Sequence, residues 1–180
     1  MKNINKLSLL ILVLLVLPIV ASAGIGAKFG FSKDAKSDIY DDGMTLIGAD
    51  YRFSALPIVD VIGTIEYSWK NYQISDLIPI EVKHHVFTAN FSVVKPLELS
   101  LLKPYAGFGF GFHAMGGTTP EDILKGGTRN GTGVHFIGGI KIAPPAAPIA
   151  VYGEYRHYWV NFDVGDERYF TLAAGVMLGF

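Results

Sequence analysis

Apolar positions in this chain recur at every second residue and almost nowhere at the three-to-four spacing of a helix. From Gly24, the run IGAKFGFS sets Ile25, Ala27, Phe29 and Phe31 against Gly26, Lys28 and Gly30. TLIGADYRF then sets Ile47, Ala49, Tyr51 and Phe53 against Leu46, Gly48, Asp50 and Arg52. VDVIGTIEYSWK follows with Val59, Val61, Ile65, Tyr67 and Trp69 against Asp60, Ile62, Thr64, Glu66 and Ser68. The same alternation predicts a fourth strand near Glu81–Val94, a fifth at Pro104–Ala114 and a sixth near Thr132–Ala143. AVYGEYRHYWV and RYFTLAAGVMLGF make a seventh and an eighth. Each is about as long as a tilted strand that crosses a bilayer.

The connections alternate as well. Those after strands one, three, five and seven read as polar and longer, whereas SALP and PPAAP read as tight turns. Leu97–Leu102 is longer and apolar, and either extends the fourth strand or lies at a membrane interface. Glu121–Lys125 has the composition of a helical turn within the third long connection.

The two faces of these strands decide the environment. One carries Phe108, Phe110 and Phe112; its counterpart carries Gly107, Gly109 and Gly111. A soluble barrel buries the apolar face and solvates the polar one. Glycine makes a poor solvated exterior, but it suits the narrow interior of an eight-stranded cylinder. The expected fold is therefore an all-β, eight-stranded antiparallel up-and-down transmembrane β-barrel over residues 24–180, phenylalanines to lipid. Closure follows because an open sheet edge in hydrocarbon leaves backbone groups unpaired. Tyr51 and Phe53 would lie near the inner rim, and Tyr67, Trp69 and Trp159 near the outer one, as interfacial aromatics do.

The first 23 residues carry Lys2 and Lys6, the apolar run Leu7–Val20 and Ala21-Ser22-Ala23. That is the layout of a secretory signal peptide, with cleavage expected after Ala23 and Sec export across the inner membrane. The chain has no cysteine, so no disulfide framework is available, and its net charge of −1 gives no basic excess for nucleic acid.

Strand parity turns Lys28, Asp50, Arg52, Asp60, Glu66, Lys141, Glu154 and Arg156 inward. Four acids and four bases in a narrow tube are expected to pair into a salt-bridge network, with Arg52 and Asp60 together near the inner end. Eight strands leave an interior that side chains fill, which excludes a general diffusion pore.

Three features resemble the small eight-stranded outer-membrane proteins of the OmpA/OmpX type. KPYAGFGFGFH is similar to a PYxGxGxG strand of that superfamily, and EYRHY resembles its inward-acidic, outward-aromatic strand. Phe180, preceded at alternate positions by Leu178 and Val176, resembles the terminal signal read by the barrel-assembly machinery. The resemblance implies the outer membrane of a Gram-negative bacterium. It implies as partners outer-membrane lipids and lipopolysaccharide, and the assembly machinery during biogenesis. It also implies a non-enzymatic role in membrane integrity or surface interaction, through loops 33–43 and 116–131.

The alternatives are a lipid-modifying enzyme and a narrow channel or carrier for small solutes. Lipid A deacylases carry a His-x-Ser element late in the chain; here RHYWVNF has no serine after His157. No cofactor is expected. His84, His113 and His135 all face inward by parity and are the weak candidates for a metal near the outer mouth.

Overall fold

The computed structural model describes residues 23–35, 43–56, 58–73, 81–97, 99, 101–117, 129–144, 147–163 and 165–179. Residues 1–22, which hold most of the expected signal peptide, Phe180 and the Glu121–Lys125 segment lie outside the described residues.

Eight strands form: β1 (Ala23–Asp34), β2 (Met44–Leu56), β3 (Val59–Gln73), β4 (Glu81–Pro96), β5 (Leu102–Gly117), β6 (Arg129–Ile142), β7 (Ile149–Phe162) and β8 (Gly165–Gly179). Every neighbouring pair is antiparallel, and β1 closes on β8 from Gly24↔Gly179 to Asp34↔Tyr169. Among the described residues this is an all-β closed barrel, as the alternation predicts.

The faces are inverted relative to a soluble barrel. Phe108 is 71% exposed and Phe29 is 64% exposed on the outer wall, while Arg156 and Ile137 inside are fully buried. Leaving so many large apolar side chains in water would forfeit about 25 cal/mol for each Å² of apolar surface. A lipid exterior removes that cost, so the outer face dictates the solvent.

Most strands run beyond their apolar stretch. β3 continues to Gln73 and β5 to Gly117, because ladder pairing persists where polar side chains can meet water. Two connections differ from expectation, SALP and the one after strand seven, while Leu97–Leu102 extends the fourth strand as one of its two expected forms. SALP is mostly strand: β2 runs to Leu56, with a register shift between Ser54 and Leu56, and β3 starts at Val59. Leu97 continues the β4–β5 ladder, its N–H donating to Pro104 O at 2.8 Å, and Leu99 and Leu102 exchange backbone hydrogen bonds of 3.1 and 3.0 Å. Leu97, Leu99, Leu101 and Leu102 stay exposed there, as side chains at a membrane interface would.

The fourth outer connection is short rather than long. Phe162 pairs directly with Gly165, so β7 and β8 form a tight hairpin. Gly165 has φ of 136°, a conformation that a side chain disfavours and glycine permits.

Candidate functional site

The interior is built from strand parity. Lys28 on β1 faces Gly48 on β2 and Gly175 on β8, and Gly48 in turn faces Glu66 on β3. The glycines leave the space through which the long side chains reach. Lys28 Nζ lies 2.6 Å from Glu154 Oε1, 2.7 Å from Glu66 Oε1 and 3.2 Å from Asp50 Oδ1. Arg156 on β7 completes the group, with Nη2 2.8 Å from Glu154 Oε1 and 3.6 Å from Asp50 Oδ1. Its Nη1 lies 3.7 Å from Glu66 Oε1. Two cations thus share three carboxylates, all of them buried.

That leaves one negative charge in excess, and hydroxyl groups offset it. Each carboxylate accepts from one tyrosine: Asp50 from Tyr152, Glu66 from Tyr158 at 2.9 Å, Glu154 from Tyr105 at 3.1 Å. Thr64 donates to Asp50 Oδ1 at 2.6 Å and accepts from Arg156 Nη2 at 2.8 Å. Donors to an ionised acceptor make the stronger class of hydrogen bond.

The inward tyrosines were missed by sequence reasoning, although a signal existed. Tyr105 sits directly opposite Gly139, and Tyr152 opposite Gly175. A Cβ added at either glycine would stand 2.5 Å from the ring carbon that bears the hydroxyl. Glycine facing aromatic across an inward register row is the cue.

Of the eight charged positions, the structure brings Lys28, Asp50, Glu66, Glu154 and Arg156 together. Arg52 and Asp60 are buried nearer the inner end. Contacts there include Ser54 Oγ donating to Asp60 Oδ1 at 2.8 Å, and the Arg52 guanidinium 4.2 Å from the centre of the Tyr105 ring. Through Tyr105 this end connects to Glu154. Lys141 is half-buried at the inner rim, level with Tyr152 and Lys103.

The three histidines do not converge. His113 and His135 are buried, but the Tyr158 ring stands beside both, at 5.4 and 5.2 Å between centroids. His113 Nδ1 lies 2.7 Å from the Tyr169 hydroxyl, and His135 Nε2 lies 2.7 Å from Ser92 Oγ. His84 is half-buried and pairs with Gly117, four residues above His113 on β5. Parity gave their direction; the register separates their heights. Among the described residues no three His, Asp or Glu side chains are placed to hold a metal.

The Ser92–His135 contact has the spacing of a nucleophile and its base. Both residues are buried in the lumen, and His135 Nδ1 has no hydrogen-bond partner, so no carboxylate orients the ring as a triad requires.

Leu178 and Val176 lie on the outer face of β8, opposite Ile25 and Ala27 of β1. Phe180 lies outside the described residues, as do 36–42 and 118–128 of the two loops singled out above.

No protein-family model matches the sequence, and no curated protein does. Solved structures do. Neisserial surface protein A superposes with a TM-score of 0.64 at 14% identity, covering 88% of this chain and 96% of that one. Ail of Yersinia pestis, solved with the heparin analogue sucrose octasulfate, gives 0.59 at 17% identity, covering 88% and 97%. The N-terminal barrel domain of Pseudomonas aeruginosa OprF gives 0.55 at 12%, covering 89% and 98%. The chain has the fold of the eight-stranded outer-membrane barrels. At such identities the likeness concerns fold alone, and function rests on the residues.

Proposed function

We propose that the chain is a non-enzymatic barrel of a Gram-negative outer membrane, with its lumen closed by the charged interior. In this reading the leader directs Sec export and is cleaved after Ala23, and the terminal Phe180, Leu178 and Val176 engage the assembly machinery. The barrel is then a scaffold that contributes to membrane integrity or surface interaction, through loops 33–43 and 116–131.

The observation that carries the reading is the five-charge cluster. Lys28 on β1 and Arg156 on β7 reach three carboxylates, on β2, β3 and β7, with side chains at most 3% exposed. A hydrated ion crossing the lumen would have to part these pairs in a space already filled by tyrosines. Breaking a buried pair on one side costs about 3–5 kcal/mol.

The test is planar-bilayer recording on refolded protein whose gel mobility shifts on heating. Wild type is expected to give no steady unit conductance, and a reproducible open level would overturn the closed lumen. The non-enzymatic part is checked separately, by the mass of lipid A after incubation with the protein. Loss of an acyl chain would refute it.

A further inference from the structure

We propose that the outer mouth of the lumen binds one soft monovalent metal ion of the copper(I) kind, through the thioethers of Met44 and Met115 and the imidazole of His84. Beyond Met1 the chain has three methionines, and two of them line the same small space. The register gathers the three donors from β2, β4 and β5. Thr45 pairs with Trp69, which sets Met44 level with Lys70, and Lys70 pairs with His84. Met115 pairs with Val86, the next inward position below His84 on β4. Asp34, Glu167 and Tyr169 border the space from β1 and β8.

Size selects the occupant. The free space is about 20 Å³, room for one water-sized body. A bare ion fits there and an organic molecule does not. Charge selects its sign. The described lining carries two carboxylates, Asp34 and Glu167, which repel one another, and no Lys or Arg. Arg129 attracts Glu167 and Lys70 stands between Met44 and His84 in the register, but neither lines the space.

Donor chemistry selects the metal. Harder divalent ions take sets of carboxylates and imidazoles, and among the described residues no three His, Asp or Glu side chains are placed for one. Thioether sulfur prefers copper(I). Leucine would fill nearly the same volume at both methionine positions, so packing alone does not call for sulfur. Met44 is buried, and Met115 packs against the group formed by Tyr158, Val160, Phe162 and Tyr169. Both side chains are thus held by their surroundings while bordering the space.

The test titrates the folded protein in nanodiscs with silver nitrate, a redox-inert stand-in for copper(I), and counts bound metal by native mass spectrometry. Wild type should take one silver ion, and no zinc at the same concentration, a comparison that needs no variant to fold. Met44→Leu, Met115→Leu and His84→Gln should each weaken silver at least about tenfold, the scale on which even supporting residues of a metal site act. Leucine keeps the packing volume, so both methionine variants should still shift on a heated gel. Met177→Leu, near the inner end of β8, should bind silver as wild type does. Absence of a silver adduct in wild type, undiminished binding by either methionine variant, an equal loss in Met177→Leu, or zinc bound as tightly as silver would each overturn the proposal.

Discussion

Replacing Lys28 by methionine removes the cation nearest the centre of the barrel while keeping most of its volume. In the native chain its ammonium holds three carboxylates within 3.2 Å, and Arg156 alone would remain to serve them. Each contact at such a distance is worth about 5 kcal/mol of Coulomb attraction at an effective dielectric of about 20. Desolvating the lysine offsets much of that sum, so the net loss is that of a broken buried pair, about 3–5 kcal/mol. The charge of the cluster falls from one negative to two. Lys28→Met combined with Glu154→Gln restores the native balance, so the double variant should be more stable than Lys28→Met alone. The coupling should be about 1–3 kcal/mol, as for residues in one network. The assay is urea unfolding in phospholipid vesicles followed by the fluorescence of Trp69 and Trp159, after a heat-shift gel confirms folding. A Lys28→Met cost below about 1 kcal/mol, the range of an exposed pair, would refute a shared buried network. So would strict additivity in the double variant.

Tyr152→Phe leaves Asp50 without its tyrosine donor and should cost about 1–3 kcal/mol in the same unfolding assay. An unchanged midpoint would mean that Thr64 and the cations suffice for Asp50. Phe108→Arg tests the inverted faces: on a lipid wall it should cost about 2–4 kcal/mol in vesicles, and a neutral result would place Phe108 in water.

Much of the fold was legible because side-chain alternation is a local property of the pleated backbone. Two residues on one strand share a face whatever lies beyond them. Alternation alone therefore turned Lys28, Asp50, Glu66, Glu154 and Arg156 inward and exposed Phe108, Phe110 and Phe112, as the structure has them. The count of strands followed from the same periodicity, and closure from the need to pair every edge in hydrocarbon.

Height within the barrel was not legible, because it depends on how eight strand registers add up around a closed cylinder. His113 and His135 point inward as expected, yet their levels differ and Tyr158 stands beside both. The same arithmetic brings Tyr105, Tyr152 and Tyr158 to carboxylates 49, 102 and 92 positions away in the chain. The short β7–β8 hairpin was hidden for a different reason. Residues 161–167 read as a longer polar connection, and only the pairing of Asn161 with Asp166 and of Phe162 with Gly165 shortens it. Sequence alone determined which side chains meet lipid and which meet the lumen. Only the tertiary structure decided which of them meet one another, since that is set by closure and stagger and by no single strand.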